Sequence, residues 1–140
     1  MTSAAAPSRT SCVGEQLPPL ALGRVTRTTL ALFAGASGDH NEIHLDSDVA
    51  RSAGMDDVFA QGMLGMAQLS RLITDHFPQS QLRSFSTRFA AITPVNAEPT
   101  CLGEVSSIDG DLLTLDLRVE LPDGTITLAG QATLTMGTAG

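Results

Sequence analysis

Residues 58–77 constrain the fold of this 140-residue chain more than any other stretch. From Val58 to Ala67 every residue except Gln61 is apolar or small. After Gln68 the pattern becomes amphipathic, with Leu69, Leu72 and Ile73 on one side and Ser70, Arg71 and Asp75 on the other. Read as one helix, its first half has no face suited to water and must be enclosed by the rest of the chain. Gly62 and Gly65 each lower the stability of such a helix by up to about 1 kcal/mol relative to Ala. Bare backbone is therefore needed there, against another element or a ligand packed close.

The remainder supplies a wrapper. Residues 82–92, 100–108, 112–121 and 125–136 read as strands, and Leu113, Leu115, Leu117, Val119 and Leu121 alternate with polar neighbours at period 2. Asp109-Gly110 and Asp123-Gly124 carry hairpin-turn chemistry, so these runs are expected as an antiparallel meander. Ahead of the long helix, Leu17-Pro18-Pro19-Leu20 leads into a first strand over 20–25. Thr26 is placed to cap a helix through Leu30, Phe33 and Ala34 that Gly35 and Gly38 end. Asp46 or Ser47 can cap a short helix over 48–52, closed by Gly54. The expected class is α+β, an antiparallel sheet curled around one long central helix. Residues 1–12 read as a disordered tail and 13–137 as a single domain.

Between those helices lies Ser37-Gly38-Asp39-His40-Asn41-Glu42-Ile43-His44-Leu45-Asp46, which holds two of the three histidines. Polar groups this dense beside apolar sequence form either a solvated loop or a site. Asp39 and His44 pair an acceptor carboxylate with a switchable imidazole, near enough in a bent loop to hold one water between them. A metal reading fails on spacing. A zinc-protease helix needs Glu directly after the first His, and Asn41 stands there; the Pro-Cys-x-x-Cys partner of a zinc deaminase is also missing. No metal is expected.

Net charge is −7 and all eight basic residues are Arg, which argues against nucleic acid and against an anionic membrane surface as partners. No apolar run approaches a membrane span, and no basic-then-apolar signal pattern opens the sequence. Cys12 and Cys101, far apart, suit a reducing compartment and are read as a tail thiol and a small core residue; a cytoplasmic location is expected.

With these pieces in order, the sequence resembles a known family. The order is strand and helix, Ser-Gly-Asp-x-Asn-x-Ile-His-x-Asp, Gly62-Met63-Leu64 opening a buried helix, then four strands. That order is similar to the MaoC-like hydratases, the (R)-specific enoyl-CoA hydratases and β-hydroxyacyl dehydratases of hot-dog fold, over roughly residues 13–136. The resemblance implies reversible addition of water to a trans-2-enoyl thioester, with coenzyme A part of the substrate and no separate cofactor. It implies a dimer joined sheet edge to sheet edge. By position, Asp39 and His44 match the family's catalytic pair, Asn41 its orienting Asn, and Gly62 the glycine whose backbone N–H receives the thioester oxygen. Glu42 replaces the usual Pro and Gln61 the usual His, and Gln can still donate a hydrogen bond at that helix start. Met63 and Met66 read as groove or core wall. Arg83 and Arg88 either meet the pantetheine phosphates or face solvent.

The acyl carrier can be coenzyme A or an acyl carrier protein. The acidic charge favours coenzyme A, because a carrier protein is itself acidic. Two other readings stay open: a hot-dog thioesterase, and a non-catalytic subunit that pairs with a paralogous chain instead of a homodimer.

Overall fold

The computed structural model describes residues 11–136, so residues 1–10 of the tail expected over 1–12 and the domain's expected last residue, 137, lie outside the described residues. In chain order the described elements are β1 (Leu20–Ala21), α1 (Arg27–Ser37), α2 (Ser47–Ser52), α3 (Gly62–His76), β2 (Leu82–Phe89), β3 (Thr100–Asp109), β4 (Leu112–Glu120) and β5 (Ile126–Thr135), with single 3-10 turns at Glu42–His44 and Gln79–Gln81. Every strand pair is antiparallel and the sheet order is β1-β3-β4-β5-β2. The class is the α+β one expected, a sheet wrapped on a central helix. No helix of the described residues is long and apolar enough to cross a membrane.

The meander is shorter than expected. β3, β4 and β5 follow one another through turns whose Gly110 and Gly124 take φ of 61° and 89°, conformations that favour glycine. β2 does not join β3. It pairs with β5 along the opposite side of the sheet, Phe85 facing Ala132 and Phe89 facing Leu128. The link over residues 90–99 is no tight turn. Pro94 and Pro99 have no N–H to extend a ladder, and the link instead bonds Thr93 O to Ala60 N at 2.9 Å and Ala97 O to Val25 N at 2.8 Å. At Gly130 the backbone of β2 comes so close that a Cβ would land on the Ser86 carbonyl oxygen.

Helix boundaries differ for local reasons. Thr26 caps α1, its hydroxyl accepting from Thr29 N at 3.1 Å, and Gly38 ends it at φ 80°, while Gly35 stays inside. Asp46 caps α2. The strand expected over 20–25 stops at Ala21, ahead of Gly23 at φ 71°. α3 starts at Gly62, later than expected, because Gln61 at its cap is extended (φ −59°, ψ 135°) and Phe59 bridges to Pro94.

Two apolar clusters result. The larger joins Leu69, Leu72, Ile73 and Phe77 of the second half of α3 and its exit to Cys101, Val105, Leu113, Leu115, Leu117 and Val119 of the sheet. Each such fully buried aliphatic side chain contributes roughly 1.5–3 kcal/mol. The smaller gathers Val25, Leu30, Ala50, Val58 and Leu64, and it seats α1, α2 and the first turn of α3 against one another. The helix is not enclosed all round: Met63 is 55% exposed, and Gly62 and Ala67 are also open.

Candidate active site

Gly38 turns the chain out of α1 and delivers Asp39 to the loop, where Ser37 Oγ accepts from its N–H at 3.2 Å. One Asp39 oxygen, Oδ1, accepts from Asn41 N at 3.4 Å and closes a local turn. The other, Oδ2, lies 3.7 Å from His44 Nε2. That is too long for a direct hydrogen bond and short enough for one small molecule to reach both groups. Asp39 is 43% exposed at its side chain, whereas His44 is only 9% exposed.

His44 is fixed from behind. Its Nδ1 lies 2.7 Å from the Phe59 carbonyl oxygen, and the Phe59 ring meets the imidazole edge-on, centroids 5.0 Å apart. A carbonyl only accepts, so Nδ1 carries a proton, and whenever the ring is neutral Nε2 is left as the acceptor on the side of Asp39. Asn41 Oδ1 accepts from Ile43 N at 3.2 Å and starts the 3-10 turn that ends at His44. Its carbonyl is thereby committed to the loop.

Beside the imidazole, a cavity of about 200 Å³ is lined by His44, Gln61, Gly62, Gly65, Phe89 and Leu128 among others. Gly62 opens α3, so its N–H belongs to the helix's first turn, where donors lack intrahelical partners and the dipole favours negative charge. A Cβ on Gly62 would come within 3.0 Å of the Phe89 ring, and one on Gly65 within 3.0 Å of Leu128. At both glycines a Cβ would thus press on a side chain that borders the cavity. Gln61 is buried, and its Nε2 donates to Leu30 O at 3.0 Å, tying the start of α3 to α1.

The structure therefore brings Asp39, His44, Gln61 and Gly62 to one place. Met63, expected as groove wall, does not line this cavity and points outward. Neither do Arg83, whose guanidinium donates to Ser80 O at 2.9 Å, nor Arg88 on the outer sheet face. Among the described residues no three His, Cys, Asp or Glu side chains converge as a metal site would require. Phe59, Phe89 and Leu128 escaped the sequence reading. The one available signal was the glycine pair, which marks a close neighbour without naming it.

Comparison with known proteins identifies the family. The family model described as MaoC like domain matches residues 13–111. The chain belongs to the MaoC-like domain family. As a MaoC-like chain it is 33% identical over 115 residues to 3-hydroxyacyl-thioester dehydratase X of Mycobacterium tuberculosis, a match covering 81% of this chain and 40% of that protein. It is also 33% identical over 96 residues to a mitochondrial 3-hydroxyacyl-[acyl-carrier-protein] dehydratase of Arabidopsis thaliana, covering 64% of this chain and 57% of that one. The MaoC-like chain thus spans about half the length of these curated relatives. Among solved structures, an (R)-hydratase from A. caviae involved in PHA biosynthesis superposes with a TM-score of 0.83 at 25% identity, covering 92% of this chain and 99% of that one. The ChsH1-ChsH2 complex of Mycobacterium tuberculosis contains a chain with a TM-score of 0.82 at 25% identity, covering 91% and 100%. The fold is the hot-dog fold of this family.

Proposed function

We propose that this MaoC-like chain reversibly hydrates trans-2-enoyl thioesters, most readily enoyl-CoA, to (R)-3-hydroxyacyl thioesters. One observation carries the reading: Asp39 Oδ2 and His44 Nε2 stand 3.7 Å apart, beside the cavity that reaches Gly62. Adding water to the β-carbon pushes electron density onto the thioester oxygen, and the first turn of α3 offers N–H donors for that charge. The water donates one hydrogen bond to each dyad member. As its oxygen bonds to the β-carbon, one proton passes to Asp39 and the other stays on the new hydroxyl, held by His44 Nε2. Asp39 then returns its proton to the α-carbon on the same face, so atoms and charge balance and the dyad is restored. Dehydration is the same path reversed.

The scarcity of basic residues favours coenzyme A over an acidic carrier protein. The outer edge of β2 has no partner strand among the described residues, and Met63, Phe89 and Ile92 are exposed near the cavity mouth. Both features suit a second chain, identical or paralogous, seated there. The two free thiols suit a reducing compartment such as the cytoplasm.

The test is a panel of enoyl-CoAs of increasing length, followed by loss of absorbance at the conjugated double bond. Asp39→Asn and His44→Ala are each expected to slow turnover by about 10²–10⁴-fold with the fold intact. Full activity in either variant overturns the reading. Release of free thiol from a saturated acyl-CoA would instead identify a thioesterase, and an inert parent chain a non-catalytic subunit.

A further inference from the structure

We infer that Asp57, gripped by Arg27 and Ser47, is a positioning residue that holds the His44 ring in its working tautomer through the Phe59 carbonyl. This rests on the hydratase reading above for its consequence in turnover, though not for its geometry. The stretch before α3 and the stretch after His44 meet twice. The first meeting is the 2.7 Å contact of His44 Nδ1 with Phe59 O. The second lies beside it: Ser47, which opens α2 just past His44, donates from Oγ to Asp57 Oδ1 at 2.8 Å, and Asp57 stands just before Phe59.

Asp57 is unusually well held for a surface carboxylate. Arg27, at the start of α1, donates through Nη1 to Oδ1 at 3.0 Å and through Nη2 to Oδ2, and Nη1 also reaches Ser47 Oγ at 3.2 Å. Val58 N adds a fourth donor at 2.8 Å. A planar guanidinium matched to both carboxylate oxygens fixes direction as well as distance. Isolated exposed ion pairs contribute little. Here, however, three chain segments converge on one carboxylate. The Arg27 hydrogen bonds, then those from Ser47 and Val58, hold the Asp57 carboxyl well below the usual carboxylate range, so the clamp is ionised throughout the working pH range. On the far side, residues 58–60 are tied to the 90–99 link through Ala60 N and Thr93 O at 2.9 Å. Arg51 Nε, donating to Asp56 O at 3.2 Å, is a further tie to α2.

The consequence is chemical. If the Phe59 carbonyl drifts, the neutral imidazole can place its proton on Nε2. That nitrogen then becomes a donor facing Asp39 Oδ2, and the two can close on each other directly. A closed dyad has no place for the water. The clamp therefore keeps the dyad open by keeping its imidazole an acceptor.

The test uses the full chain labelled with ¹⁵N at its histidine rings, with Asp57→Ala, Asp57→Asn and Arg27→Gln beside the parent. The ring-nitrogen NMR shifts of His44 should report the Nδ1–H tautomer in the parent and a mixture in Asp57→Ala. Turnover should fall roughly tenfold to 10²-fold through kcat, with KM little changed. Asp57→Asn keeps an oxygen for Ser47 and Val58 and should fall between parent and Asp57→Ala. Glu120→Ala breaks the remote Arg118–Glu120 pair, at 3.2 Å, and should change neither readout. A lowered Tm with the His44 tautomer unchanged, or an unchanged kcat, overturns the inference. If Asp57→Ala does not fold, Asp57→Asn and Arg27→Gln carry the same two readouts. A parent that turns over no enoyl thioester refutes the hydratase reading alone, since the tautomer measurement still decides the clamp.

Discussion

The two halves of α3 both carry large apolar side chains, yet these end in opposite surroundings. The second half sends Leu69, Leu72 and Ile73 into the sheet at 0%, 0% and 1% exposure. The first half buries Leu64 against the small cluster, while Gly62 and Gly65 border a cavity and Met63 stands open. An apolar side chain that closes on the sheet contributes stability. Apolar sequence that leaves a cavity and an open flank forgoes part of that stability, and what it keeps is room for a ligand and for a neighbour. One helix thus serves as keel at one end and as site floor at the other.

If that contrast is right, substitutions at the two ends separate stability from turnover. Leu72→Ala should lower unfolding free energy by about 2–5 kcal/mol in chemical denaturation, by lost transfer energy plus a cavity, with the residual folded protein still active. Gly62→Ala should do the reverse. The nearest atoms its Cβ meets belong to the side chain of Phe89, itself 53% exposed and able to shift, so stability should change by less than about 1 kcal/mol. Turnover should fall by about 10²-fold, because the displaced ring and the new methyl crowd the approach to the α3 N–H groups. Equal loss of stability at both positions would erase the distinction.

How much of this was legible in the sequence follows the same divide. The alternation of Leu113, Leu115, Leu117 and Val119 is a property of one strand, so the buried face of β4 can be read without knowing its neighbours. Which strand pairs with which is not local: nothing in residues 82–89 says that their partner is β5 instead of β3. The start of α3 was hidden for a related reason. Val58, Phe59 and Ala60 have the composition of the helix that follows, and only their hydrogen bonds to the 90–99 link make them extended. Asp39 and His44 stood out because rare polar types recur at a recognisable spacing. The Phe59 carbonyl that orients His44 could not stand out, since every residue has one. Arg27 and Asp57 lie thirty positions apart and carry no pattern until the fold brings them together.

A titration sharpens the comparison from the core side. Cys101 is fully buried beneath the second half of α3, and burial pushes its thiol up from about 9 to about 11. The unfolded chain therefore ionises first as pH rises. The contribution of this thiol to stability is whole below about 9 and is lost as pH climbs toward about 11. Between those limits the parent should lose about 2 kcal/mol more than Cys101→Ala does, measured as the difference in their pH slopes by urea unfolding. Equal slopes would mean that this part of the core admits water.

The smallest expected effect tests the open end of α3 directly. Met63 extends from the first turn of the helix into solvent, as Phe89 and Ile92 do nearby. In the single chain Met63→Gln removes little buried area, so unfolding free energy should stay within about 0.5 kcal/mol of the parent at low concentration. Should the apolar flank be covered by a second chain, the same substitution raises the concentration needed for association, which sedimentation or light scattering would detect as a shift toward monomer. A drop in monomer stability comparable to that of Leu72→Ala would show that Met63 packs inside its own chain. The first half of α3 would then be keel as well, and the apolar character of residues 62–67 would need no ligand and no neighbour to account for it.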